Sequence, residues 1–175
     1  FYDTAKGEVF VDGANVKDYI VSDLRRKIGI VPQKSALFSG TVRENLTIGN
    51  ENASEETIKK AIRIAQAEDI IERMPEGLDT FIAEGGRNLS GGQRQRLTIA
   101  RALVCEPEIL ILDDSSSALD YVTDLNLRKA IKEETDNMTV FIVSQRANAI
   151  KNSDRIVVLD DGRISAIGKH EELLK

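Results

Sequence analysis

Four consecutive aliphatic residues, Ile109-Leu110-Ile111-Leu112, follow the helix breaker Pro107 and are closed by Asp113-Asp114. A run without polar alternation predicts a strand buried on both faces of a parallel sheet. Further strand-like segments lie at Gly7 to Val11, Lys27 to Val31, 138–143, 155–159 and 163–167. The first ends in Asp12-Gly13, a tight turn, and Asp161-Gly162 joins the last two as a hairpin. From about 41 to 103 the pattern changes to helical spacing. Thr41-x-x-Glu44 has capping-box form, so a short helix starts there. Ser54, followed by Glu55 and Glu56, is a second N-cap signal, and Ile58, Ala61, Ile62 and Ala65 keep helical period behind it. That helix continues, or restarts near Ala67, until Met74-Pro75. A third helix follows Ser90, with Leu97, Ala100, Leu103 and Val104 on one face. Another is predicted from about 119 to 134, and His170 to Lys175 opens a terminal helix. The fold class is therefore α/β with a helical insertion: residues 1–40 and 104–175 form the α/β core, and about 41–103 the insertion.

Composition narrows the function classes. At 175 residues the chain buries a real core as one domain with room for a subdomain. A net charge of −5 and a pI near 5.1 argue against a nucleic-acid surface. Arg94, Arg96 and Arg101 cluster, but on the helix behind a phosphate-type loop. No apolar run reaches the roughly 18 residues that span a bilayer, and no signal peptide is visible. The lone Cys105 excludes a disulfide within these residues, fits a reducing compartment, and reads as a small apolar filler at a helix end.

Two segments carry chemistry. Leu89-Ser90-Gly91-Gly92-Gln93, followed by Arg94-Gln95-Arg96, sets two glycines behind a serine where a helix begins. Bare backbone N–H groups at a helix N-terminus with a small, unhindered approach form an anion site. Sixteen residues past Gln93 begins the run Ile109 to Leu112, ending in Asp113. A carboxylate at the carboxyl end of a parallel strand lies where open α/β sheets bind ligands. An aliphatic strand ending in Asp is the Walker B pattern, whose Asp helps hold Mg²⁺ beside nucleotide phosphates.

With these segments the sequence resembles the nucleotide-binding domain of ABC transporters of the exporter type, over nearly the whole chain. Ile28-Gly29-Ile30-Val31-Pro32-Gln33 looks like the strand into the Q-loop, and Leu37 to Leu46 (LFSGTVRENL) like the exporters' next segment. Leu89 to Gln93 matches the family signature, Ile109 to Asp113 its Walker B, and Ser117-Ala118-Leu119-Asp120 its D-loop. The resemblance implies a P-loop NTPase (RecA-like) core with an inserted helical subdomain. It also implies ATP and Mg²⁺ as cofactors, in a composite site that the signature of an opposite subunit closes. Ser90, Gly91 and Gly92 then supply a hydroxyl and backbone N–H groups to the γ-phosphate of a partner's ATP, and Gln93 fixes the loop geometry. Asp113 and Gln33 fall to Mg²⁺, with Gln33 also linking the site to the membrane domain.

Three departures qualify the match. No Gly-x-x-x-x-Gly-Lys-[Ser/Thr] sequence, the Walker A loop, occurs in the chain, which starts at Phe1-Tyr2-Asp3. The expectation is a fragment truncated after that loop, soluble and inactive alone, with ATP and Mg²⁺ absent from it. Asp114 stands where hydrolysing members carry Glu, so the catalytic base is one methylene short. Gln145, in Ser144-Gln145-Arg146, stands where the family has its switch His, and it cannot carry a proton as His does. The single histidine, His170, opens the terminal helix as a surface or capping residue.

Carrying Asp114 and Gln145 at the catalytic positions, in place of Glu and His, while keeping Ser90 to Gln93 resembles one half of a heterodimeric exporter with unequal ATP sites. The expected partners are a transmembrane domain and a second, non-identical nucleotide-binding domain with Glu and His, at the cytoplasmic face of the membrane, with no nucleic acid. Two alternatives stay open: a catalytically degenerate regulatory domain that clamps nucleotide, and a soluble ABC-type ATPase outside transport.

Overall fold

The computed structural model describes residues 4–135 and 138–174. The opening Phe1-Tyr2-Asp3 and Lys175, the expected last residue of the terminal helix, lie outside them. The chain enters through a small hairpin, β1 (Phe10–Val11) and β2 (Ala14–Asn15), turning on Asp12 and Gly13. Both turn residues have positive φ, 49° and 78°, as a two-residue hairpin turn of this hand requires. The strand expected from Gly7 shortens to Phe10–Val11, because the facing strand offers only Ala14 and Asn15 to pair with, and Gly7, at φ 77°, lies in the bend before it.

Helix α1 (Val21–Lys27) buries only Leu24, too little to leave a hydrophobic stripe in the sequence. Asp23 in its first turn and Arg25, Arg26 and Lys27 in its last suit the helix dipole. Lys27 then pairs with Asp12 at 3.0 Å and Glu108 at 2.6 Å, tying the hairpin to the segment before the Walker B strand.

The main sheet is parallel, in the order β3 (Ile28–Val31), β6 (Ile109–Asp113), β7 (Thr139–Val143). Between β3 and β6 the chain forms β4 (Gly40–Thr41), α2 (Val42–Thr47), α3 (Glu55–Ile64), α4 (Glu68–Glu72), β5 (Phe81–Ile82) and α5 (Gly91–Val104). Thr41 caps α2 in a complete capping box with Glu44, and Ser54 caps α3. The helix expected to continue or restart past Ala65 restarts, since Gln66 has φ 57° and breaks it. After β6 come α6 (Tyr121–Glu134), β7, α7 (Ala147–Ile150), the hairpin β8 (Ile156–Asp160) and β9 (Arg163–Gly168), and α8 (His170–Leu173). Asp161 and Gly162, at φ 43° and 73°, make the expected turn between β8 and β9.

One cluster of buried side chains joins the inner face of the sheet (Val31, Leu110, Leu112) to α2, α3, α5 and α6. The expectation that the Walker B strand is buried on both faces is corrected. Ile109 and Ile111 are half-buried, and their neighbours Ile30, Phe141 and Val143 are 46%, 55% and 54% exposed. Among the described residues the helices of this cluster pack on one side of the sheet, so the aliphatic run has one covered face and one exposed face there.

Candidate functional site

Helix α5 begins at Gly91, with Ser90 as N-cap. Ser90 Oγ accepts from the Gln93 N–H at 3.2 Å, and Gln93 Oε1 accepts from the Ser90 N–H at 2.8 Å. This reciprocal box leaves the Ser90 hydroxyl proton available for a ligand and holds the loop open. The N–H groups of Gly91 and Gly92 make no hydrogen bond among the described residues. A Cβ added at Gly91 would meet nothing within 4 Å, so this end of the helix is unobstructed. The donors facing out are one hydroxyl and two amides on a helix N-terminus, with no carboxylate in the loop: a set that fits a phosphate oxygen.

Arg94 and Arg96 serve the loop's architecture. Arg94 Nη1 donates to the carbonyls of Leu89 (2.7 Å) and Gly86 (3.3 Å), fastening the chain that leads into Ser90. Gly86 has φ 68°, and a Cβ there would run into Arg94 Cδ at 2.6 Å, so only glycine fits. Arg96 donates to Gln66 O and Asp69, linking α5 to the turn before α4.

The carboxyl ends of the three parallel strands gather the other expected residues. Val31 pairs with Leu112 and Asp113 with Val143, so Gln33, Asp113, Asp114 and Gln145 all lie at one end of the sheet. Gln33, Asp113 and Gln145 are exposed, and Asp114 is half-buried. Asp114 takes φ 44°, its N–H donates to Val143 O at 2.9 Å, and its carbonyl accepts from Ser117 N and Oγ. The backbone is thus clamped in the left-handed region, which Asp tolerates better than most residues. Ser117 and Ala118 are exposed and Leu119 is buried. Asp120 N-caps α6, accepting from Val122 N, Thr123 N and, at 2.6 Å, Thr123 Oγ1. The Thr123 hydroxyl, with the backbone amides behind it, holds the Asp120 carboxyl below its ordinary range.

Three features escaped the sequence reading. A Cβ on Gly92 would stand 3.2 Å from Ala118 O, so the signature helix and the D-loop of the same chain touch. Asn45, 2% exposed, bonds Phe38 N and O and Thr41 O, pinning the turn before α2. Beneath the D-loop, Ser115, Ser116, Leu112 and the bidentate Asp124–Arg128 pair line a space of about 10 Å³, enough for one water. Each joins positions that periodicity cannot connect, though an Asn inside an apolar helix start is a signal for the second.

The ABC transporter family model matches residues 1–117, two-thirds of the chain. The chain belongs to the ABC transporter family. An uncharacterized ABC transporter ATP-binding protein (YwjA) of Bacillus subtilis is 45% identical over 175 residues, 100% of this chain and 30% of that protein. An ATP-dependent lipid A-core flippase of Desulfotalea psychrophila is 43% identical over the same span, 31% of its length. In three dimensions this ABC chain matches a bacterial Atm1-family ABC exporter with ATP bound at a TM-score of 0.94 and 38% identity, covering 99% of this chain and 30% of that one. The chain therefore spans about a third of the length of these relatives. The parallel-sheet α/β architecture is that of an ABC-type ATPase, a family whose domains bind ATP with Mg²⁺. Among the described residues no helix is long and apolar enough to cross a membrane.

Proposed function

We propose that this chain is part of the ATP-hydrolysing module of an exporter, and that its signature loop completes the ATP site of a second, non-identical subunit. The observation that carries this reading is the α5 N-terminus: two unpartnered glycine amides and a serine hydroxyl, aimed outward with open approach. A bound ATP–Mg²⁺ supplies the phosphoanhydride to be cleaved and a cation that neutralises charge developing on its oxygens. Toward the partner's nucleotide, Ser90 donates its hydroxyl and Gly91 and Gly92 their amides, while Gln93 keeps Ser90 in place. Toward this chain's own nucleotide, Asp113 and Gln33 would provide oxygen ligands to the cation, a small protein share that suits Mg²⁺.

Asp114 is the base position of that second site and Gln145 its switch position. Asp reaches one methylene less far than Glu, and a misplacement of about 1 Å costs on the order of 100-fold in rate. Gln145 bonds a phosphate oxygen without carrying a proton. Both changes leave this chain's own site slow, so turnover falls to the site completed by Ser90–Gln93, with Glu and His from the partner. Ser117 to Asp120 run from Asp114 to the Gly92–Ala118 contact and tie the two half-sites together. In this reading residues from about 41 to 103 form the helical subdomain, a transmembrane domain docks on the chain at the cytoplasmic face of the membrane, and nucleic acid plays no part.

The test restores the lost groups. In the full-length transporter, Asp114→Glu with Gln145→His raises ATP turnover by adding a second competent site. An unchanged or lower rate in a folded double variant refutes the assignment of these two positions.

A further inference from the structure

The segment between the Walker B strand and α6 carries polar groups that its own turns do not use. Its carbonyls are engaged: Asp114 O accepts from Ser117 N and Oγ, and Ser116 O from Leu119 N at 3.1 Å and, at the longer distance of 3.5 Å, from Arg146 Nη1. The hydroxyls of Ser115 and Ser116 are not. Both residues are 6% exposed, yet neither hydroxyl bonds to another described residue. They line the space of about 10 Å³ whose other walls are Leu112, Leu127, Ile142 and the Asp124–Arg128 pair. Asp124 and Arg128 stand one turn apart on α6, joined by Nε–Oδ1 and Nη2–Oδ2 bonds of 3.1 and 2.6 Å. Each side chain is 20% exposed, against 70% and 61% in the Lys129–Glu133 pair of the same helix. The first pair is turned inward, under the D-loop.

A buried hydroxyl without a partner is costly, so the two serines call for one. The bidentate pair leaves further guanidinium N–H groups to give and carboxylate lone pairs to accept with. A space of this size holds one water, and an enclosed water needs about two to four polar partners. Ser115, Ser116, Asp124 and Arg128 supply them. We propose that Asp124 and Arg128 are positioning residues for the D-loop: through one enclosed water they hold the hydroxyls of Ser115 and Ser116, and so fix where Ser117 to Asp120 stand. The effect reaches the signature loop. A Cβ on Gly92 would lie 3.2 Å from Ala118 O, so a D-loop that shifts moves against the start of α5. Asp124 and Arg128 sit below the turn and act through it. The hold on the D-loop stands on geometry alone, and its effect on turnover rests on the exporter reading above.

The test uses the full-length transporter and two readouts: amide exchange at Ser117 and Leu119, whose N–H groups close the D-loop turns, and kcat and KM for ATP. Arg128→Met, and separately Ser115→Ala with Ser116→Ala, speed exchange at Ser117 and Leu119 on the order of 10-fold, the scale of one hydrogen bond to a charged group. Each also lowers kcat on the order of 10-fold at unchanged KM, because placement changes and nucleotide affinity does not. Combining the two sets gives no further loss, and Arg128→Lys, which keeps a cation beside Asp124, restores most of it. Asp124→Asn, nearly unchanged in shape, gives the same pattern and stands in where Arg128→Met does not assemble. Exchange at Leu127 and Ile131, on the buried face of α6, stays as in the unmodified protein. Additive losses, or exchange at Ser117 and Leu119 indifferent to these variants, overturn the proposal. Faster exchange at Leu127 and Ile131 in step with the D-loop also overturns it, since the pair then only supports its helix. The expected exchange pattern in a full-length protein that turns over no ATP supports the hold on the D-loop and overturns the exporter reading instead.

Discussion

Replacing Gly91 by alanine separates a ligand-binding role for the signature loop from a structural one. Gly91 is the first residue of α5, its φ is not positive, and an added Cβ meets no atom within 4 Å. The folded chain therefore accommodates the methyl without strain. Alanine is favoured over glycine in helices by about 0.5–1 kcal/mol, less at a first-turn position, so the gain is about 0.5 kcal/mol. For a chain of 175 residues that is a melting temperature higher by roughly 1–2 °C. In the assembled transporter the same methyl projects where a phosphate oxygen must come within about 2.9 Å of the amide. Losing one such donor costs on the order of 100- to 1,000-fold in turnover. Gly92→Ala is the internal contrast, because its Cβ meets Ala118 O at 3.2 Å and the D-loop must give by a few tenths of an ångström. The assay pairs thermal melting of the 175-residue chain with ATP turnover of the full-length transporter. If Gly91→Ala lowers the melting temperature in step with activity, the glycine serves the fold and the ligand argument fails.

Thr41→Ala removes the α2 capping box and is expected to destabilise the chain by about 1 kcal/mol, a drop of roughly 2–4 °C in melting temperature, with Thr41→Ser largely restoring it. Asp120 should show a signed pH dependence. Its folded pKa lies below the ordinary value, so the unfolded chain binds more protons at this site and the cap's stabilisation is complete above that ordinary value. The contribution is lost as pH falls through the lowered folded value, so the start of α6 loosens in acid below about pH 4. Amide exchange at Val122 and Thr123 across an acid titration reads this out, and the same curve in Asp120→Asn would contradict it.

Helix starts were the most legible part of the fold, because a cap is written in four adjacent residues. Thr41 to Glu44 and Ser54 to Thr57 act in the structure as their spacing says, and Ser90 to Gln93 close on each other. Strands β3, β6 and β7 were legible from aliphatic content, but the covering of β6 was not. A run such as Ile109 to Leu112 records hydrophobicity and says nothing about how many layers pack on it. Helix α1 hid behind a single buried residue, and the β4–β5 ladder is two residues long on each side. At the candidate site, parallel pairing alone brings Gln33, Asp113, Asp114 and Gln145 to one sheet end, so the grouping was implicit in the sequence order. The approach of Gly92 to Ala118 and the Asp124–Arg128 pair under the D-loop depend on packing between distant segments. No spacing rule reports them.

The central claim is that Leu89 to Gln93 serve a nucleotide held by another subunit, while Asp114 serves a weaker site of this chain. The most direct measurement compares ATP turnover of the two-subunit transporter carrying Gly91→Trp with that of the one carrying Asp114→Ala, both in this chain only and both checked for assembly. Gly91→Trp should abolish most of the turnover, whereas Asp114→Ala should leave it nearly at the unmodified rate. Equal losses from the two substitutions would contradict the asymmetry.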